Sequence, residues 1–167
     1  MEKRKYLNMV NETEINELLE TYLSSYEKIK PVFDNLSEEK LEFVPAPGKW
    51  SIKQIANHLC DSEIMAVTRM QRIIAEETPQ LLAYDQNNWA NKLFYEKLDP
   101  KISILIFGLI RQRTYLLLKL LPASAWERKG KHSERGDVSL LDMLKTYVKH
   151  GENHLQQIHN ILAVVTK

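Results

Sequence analysis

Disulfide bonding within the chain is excluded at the outset, because there is a single cysteine, Cys60. A lone thiol suits a reducing compartment. Glycine is scarce, at 5 residues in 167, and no Gly-rich phosphate loop can be assembled from them. No Ser/His/Asp arrangement stands out. Charge of one sign is missing too: 23 basic against 22 acidic side chains leave a formal net charge of +1. That balance creates no field to concentrate nucleic acid or an anionic membrane surface. Basic and aromatic residues do not interleave as a nucleic-acid groove requires. Long hydrophobic runs are lacking as well. The most apolar stretch, residues 102–110, has about half the length of a membrane span. No apolar run follows the charged Met1-Glu2-Lys3-Arg4-Lys5 start, so no signal peptide is expected. These absences predict a soluble cytoplasmic protein without a nucleic-acid or membrane partner.

What is present is ordinary for a globular chain: 44% hydrophobic and 27% charged residues. The length predicts one domain over residues 1–167, with a core that needs no covalent staple. Strand-like alternation is rare, and four long segments repeat at helical period. The first spans residues 13–33, with Ile15, Leu18, Leu19, Tyr22, Tyr26 and Ile29 as its apolar stripe. Pro31 should kink or end it. A short turn is expected over residues 37–43, before the punctuation of Pro45-Ala46-Pro47-Gly48. Ser51 and Gln54 form a capping-box pattern that opens the second helix, which should run to about Glu76. Residues 80–98 read as a long connection with some helix of its own, the kind of segment that often walls a site. Asp99 and Pro100 open a third helix that ends before Pro122. Its first half is apolar nearly all round, which predicts burial on more than one side and a subunit interface. Residues 130–136 read as a polar loop, and a last helix runs from about Ser139 to Val165. The expected architecture is an all-α four-helix bundle with a long, partly helical connection between the second and third helices.

The histidines are the informative residues. His150 and His154 stand four apart on the last helix, within roughly 40° of each other and one turn apart. Such a pair can offer two imidazoles to one ion. On a helical wheel His154 lies roughly 60°, and His150 roughly 100°, from the centre of the apolar stripe. His58 lies roughly 100° from the centre of the stripe on the second helix. All three sit at core margins, where helix packing can gather them. Partly buried histidines satisfied by their neighbours would look the same at this level. His132 falls in the polar loop, and His159 has no partner at ligand spacing and reads as structural.

The run from Pro47 to Glu63, with Trp50-Ser51, His58-Leu59 and the acids Asp61 and Glu63, resembles the DinB/YfiT-like family. His150-Gly151-Glu152-Asn153-His154 resembles that family's second signature, and Tyr84-Asp85-Gln86-Asn87-Asn88-Trp89 and the helix spacing also match. The resemblance covers nearly the whole chain. It implies a four-helix bundle, commonly a homodimer. It also implies a divalent metal, zinc or nickel, held by His58, His150 and His154. Characterised members of the family include S-transferases and isomerases that use a low-molecular-weight thiol as cosubstrate.

Three neutral imidazoles leave at least one coordination position open. An ion held this way can lower the pKa of water to about 7, or bind a thiol as its thiolate. The first route leads to hydrolysis and the second to thiol S-transfer, and the sequence does not separate them. A metal-dependent enzyme acting on a small molecule is the primary expectation. A non-catalytic metal-binding or stress-related binding protein is the alternative. Glu63 falls near the centre of its helix's apolar stripe, so its carboxylate needs a partner. It is expected either as a catalytic proton acceptor beside a histidine or in an ion pair with Arg111 or Arg113. Asp61 could orient the His58 ring or sit in solvent. Asp85 and Trp89 are candidates for the pocket mouth. Cys60 points roughly 160° away from His58 and is not expected to be a ligand.

Overall fold

The computed structural model describes residues 2–165, with side chains described from residue 12 onward. The first helix, α1, spans Glu2–Asp34. It begins earlier than the apolar stripe suggests and continues through Pro31 to Asp34 instead of stopping there. A proline that close to a helix end removes one hydrogen bond of the final turn without breaking the rest. The one-turn α2, Glu38–Glu42, is capped by Ser37. Helix α3, Ile52–Ala75, starts with the expected capping box: Gln54 N–H donates to Ser51 Oγ at 3.2 Å, and Ser51 N–H to Gln54 Oε1 at 3.0 Å.

The connection that follows holds a short strand β1, Gln80–Leu81, and a helix α4, Gln86–Lys92. Asn57 of α3 fastens its far end, donating from Nδ2 to Tyr95 O at 2.7 Å. Helix α5, Pro100–Leu118, begins at the Asp99 cap. A single 3-10 turn, Ala123–Glu127, then leads to strands β2, Lys129–His132, and β3, Gly136–Ser139. The last helix, α6, is Leu140–Val165.

The segment read as a polar loop is therefore a β-hairpin, which qualifies the all-α expectation. β2 pairs antiparallel with β3 and parallel with β1, in the order β1-β2-β3. Its apolar face is too small to show as a pattern. Val138 is buried, and Gly130 lies so close to Leu81 that a Cβ there would stand 2.8 Å from Leu81 Cδ1.

Helix α1 packs on α5 and α6, and α3 also packs on α5 and α6. Of the consecutive long helices only α3 and α5 are neighbours; α1 and α3, and α5 and α6, are diagonal partners, unlike an up-and-down bundle in which every consecutive pair is adjacent. The two crossing connections are what the long linkers accomplish. The core forms two clusters. One gathers Tyr22, Met70, Leu118, Trp126 and Leu144, and the other Ile29, Phe33, Ile55, Leu59, Phe107 and Ile158. Among the described residues no helix is long and apolar enough to cross a membrane.

Candidate metal centre

Helices α3 and α6 are neighbours, and their contact brings His58, His150 and His154 together. Each offers a ring nitrogen, and the three nitrogens lie within 4.8 Å of one another. His58 Nε2 is 3.1 Å from His150 Nε2, which is 3.2 Å from His154 Nε2. The one-turn spacing of His150 and His154 on α6 sets their rings edge to face, with centroids 4.5 Å apart. Trp50, just before the α3 cap, lies against the His58 ring at 4.7 Å. Its backbone is aimed by the turn at Gly48, which takes φ of +74°, and by the bond from Lys49 N–H to Ala46 O at 3.0 Å. A positive φ of that kind is costless only for glycine.

Burial keeps these imidazoles neutral. It pushes His58 down to about 3, with the charge of His154 adding to the effect. It pushes His150 down to about 2, helped by His154, His58 and Arg111. His154 is lowered for the same reason, against the opposing pull of Gln157. The hydrogen-bond inventory then tests whether an ion fits. His154 Nδ1–H donates to Gln157 Oε1 at 2.9 Å, so its Nε2 carries a lone pair. The Nδ1 atoms of His58 and His150 are buried without a partner. A neutral ring has one proton, and a proton on His150 Nε2 can serve only one of its two close nitrogen neighbours. At least one of the two contacts is then left without a hydrogen bond, and a cation facing three ring lone pairs would resolve it. With metal–nitrogen bonds of about 2.05 Å, the His58–His150 and His150–His154 pairs each subtend roughly 100°, between octahedral and tetrahedral values. The donor set fits a divalent metal ion.

A cleft of about 320 Å³ opens over His150 and His154, with His58 buried beneath. Lys49, Trp50, Gln86, Asn87 and Gln157 form its rim. Of these, only the position of Trp50 before the helix cap was conspicuous in the sequence.

The carboxylates considered beside the histidines lie elsewhere. Glu63 is 1% exposed, and its two oxygens are committed: Oε2 accepts from Arg111 Nε at 2.9 Å and Oε1 from the Tyr22 hydroxyl. The ion pair with Arg111 is the arrangement present, while Arg113 is exposed. Glu63 thus makes no hydrogen bond to a ligand histidine. Arg111 also donates to Tyr22 O, Ser25 Oγ and Tyr147 O, tying α1, α3 and α6 to α5. Beside that carboxylate and in a buried setting, the Tyr22 phenol is raised well above its usual value. Asp61 accepts from the Tyr95 hydroxyl at 2.6 Å rather than from His58, since the connection carries Tyr95 over it. Asp85 caps α4, accepting from the N–H groups of Asn87 and Asn88, and Trp89 packs on Tyr84 with centroids 4.3 Å apart. This segment reaches the cleft through Gln86 and Asn87 instead.

The remaining titratable candidates stand apart. His132 lies in β2, where its Nδ1 accepts from Glu134 N–H at 3.3 Å. His159 is exposed on α6, so it is not a core residue. Cys60 is buried, and burial pushes its thiol up to about 11, far from a reactive thiolate.

Residues 22–158 match the DinB superfamily. A protein of Oceanobacillus iheyensis, provisionally named as a metal-dependent hydrolase, is 32% identical over 133 residues, covering 80% of this chain and 77% of that one. A similarly named protein of Bacillus licheniformis is 29% identical over 124 residues, covering 74% of this chain and 70% of its own. Among solved structures, YfiT from Bacillus subtilis matches with a TM-score of 0.85 at 22% identity, over 90% of this chain and 87% of that chain. It is described as having an unusual four-helix bundle topology. In sequence, helix arrangement and the order of its motifs, the chain belongs to the DinB superfamily.

Proposed function

We propose that this chain is a metal-dependent enzyme acting on a small molecule, with His58, His150 and His154 as ligands of one zinc or nickel ion. The observation that carries this reading is the convergence of three neutral ring nitrogens at the floor of an open cleft. A divalent ion there supplies Lewis acidity toward a carbonyl and acidifies water or a thiol. The chain's own residues do the rest. Gln157 fixes the His154 ring, Trp50 shields His58, and the rim amides Gln86 and Asn87 offer hydrogen bonds to a substrate. Hydrolysis is the activity that the relatives' names suggest. Elemental analysis of the purified protein tests the metal reading. Near-stoichiometric zinc or nickel is expected, and its persistence in a His150→Ala, His154→Ala variant would remove these ligands from consideration.

One observation favours thiol S-transfer as a second reading. The cleft lining contains no carboxylate to accept a proton from water. A metal-bound thiol is deprotonated outright, whereas metal-bound water, with a pKa of about 7, is only partly ionised and gains more from such an acceptor. Turnover of generic esters and amides, against thiol-dependent consumption of an electrophile, separates the two. Metal binding with neither turnover would make the chain a metal-binding protein without catalysis.

A homodimer is proposed alongside. Ile102, Leu105, Leu109 and Leu116 lie exposed along α5, and exposed apolar side chains grouped on one helix suit a partner surface. Sedimentation at micromolar concentration tests it, and a monomer mass would refute it.

A further inference from the structure

The charge lining the cleft is of one sign. Among the described residues Lys49 is the only charged side chain on the rim, and the other polar groups there are the amides of Gln86, Asn87 and Gln157. Among the described residues Lys49 makes no ion pair. The acids near the site residues in sequence do not line the cleft: Glu63 is bonded to Arg111 and Tyr22, Asp61 to Tyr95 and Asp85 to the amides that open α4, while Glu152, between His150 and His154 in the chain, is exposed outside the lining. The ligand set itself contributes no compensating negative charge, because all three members are imidazoles. An ion held by them keeps its full double charge, whereas a carboxylate ligand would cancel part of it. A cleft lined by one sign of charge focuses the field and concentrates ligands of the other sign.

We propose that the cleft selects a small substrate bearing a carboxylate, which Lys49 engages while the reacting group lies over the histidines. This deepens, and rests on, the metal-dependent reading above. The position of Lys49 suits the role. It follows Gly48, whose positive φ closes the turn, and precedes Trp50, which is held against His58. The lysine is thus anchored at its backbone to the floor of the site while its long side chain remains exposed. Gln86 and Asn87, presented by the first turn of α4, stand ready to donate to the second carboxylate oxygen. A cationic substrate is disfavoured at the same place, since no carboxylate lines the cleft to receive it.

The test compares two probes of nearly equal shape, N-acetylglycine and its uncharged amide, N-acetylglycinamide. Binding to the full chain is followed by NMR shifts of the Trp50 indole N–H, which needs no turnover. With zinc-loaded protein the anion should bind at least about tenfold more tightly than the amide. Lys49→Gln should reduce that ratio by at least about threefold, with zinc affinity unchanged. Equal binding of the two probes overturns the inference. So does a preference that Lys49→Gln leaves intact, because the ion alone would then be responsible. If the protein retains no zinc, the metal-dependent reading fails separately. The same probe pair on metal-free protein then decides: a preference abolished by Lys49→Gln supports carboxylate capture, and no preference overturns it.

Discussion

Replacing Arg111 by methionine removes the cation that holds three of the four long helices to α5. The side chain is 0% exposed and donates to Glu63, Tyr22 O, Ser25 and Tyr147 O, while its guanidinium lies 4.3 Å from the Tyr22 ring centroid and 4.4 Å from that of Phe107. Methionine fills much of the volume, so cavity formation is a minor part of the cost. The main cost is Glu63, left buried with only the Tyr22 hydroxyl as donor. Breaking a buried pair in this way costs about 3–5 kcal/mol. That is a large part of the 5–15 kcal/mol, roughly, that holds a domain folded. Changing both partners, Glu63→Gln with Arg111→Met, removes the unpaired charge, so the double variant should be more stable than the sum of the single changes by about 2 kcal/mol. Urea unfolding of the four proteins measures the cycle. A loss below about 1 kcal/mol in Arg111→Met, or strict additivity in the double variant, would refute the reasoning. Unaltered zinc affinity in Glu63→Gln would place this pair in the scaffold, apart from the metal chemistry.

Acid should weaken the metal-free protein. Burial holds His58 at about 3 and His150 at about 2 in the folded chain, against roughly 6.5 unfolded, so the unfolded chain takes up protons first and stability falls as pH drops below about 6.5. At about 1.4 kcal/mol per pH unit for each ring, urea unfolding with a chelator should show about 4 kcal/mol less stability at pH 5 than at neutrality. The His58→Gln, His150→Gln variant should lack that loss, and an equal loss in both proteins would contradict it. Gly108→Ala places a Cβ on the Tyr26 ring, where α1 and α5 meet; it should cost about 1–3 kcal/mol in urea unfolding. Gln157→Leu deprives His154 Nδ1–H of its acceptor; zinc affinity, measured against a chelator, should fall about tenfold with the fold intact.

The long helices were legible because each carries an apolar stripe and at least one end signal, as the Ser51 capping box and the Asp99-Pro100 start illustrate. His150 and His154 were legible from spacing; the place of all three histidines at stripe margins allowed convergence with His58 without requiring it, and the family resemblance supplied the choice. What the sequence hid depends on contacts between distant segments. The β-hairpin buries little apolar surface, so Lys129-Gly130-Lys131-His132 shows no alternation. Periodicity located Glu63 in the interior but could not choose between a histidine and Arg111, which lies 48 residues further on. Asp61 was drawn to Tyr95 by the fold of the connection, which no local pattern records. Gln157 was discoverable in principle, since it stands three residues after His154 on the same helix. Lys49 and the amides at 86 and 87 lie inside segments that resemble the family, but nothing local gives them a role, because a rim is defined by what lies across from it.

The separation between His58 and His150 has a consequence for the life of the protein. They stand 92 residues apart in the chain, and α5, the hairpin and both sides of the long connection lie between them. An ion gripping both would act as a removable crosslink closing that loop, and a closure of this size withdraws about 4–5 kcal/mol of disorder from the unfolded chain if it behaves as a covalent one does. Folding and metal supply are then the same variable. Cells short of the metal would hold less of the protein as well as less active protein, because the unclipped chain spends more time open to proteolysis.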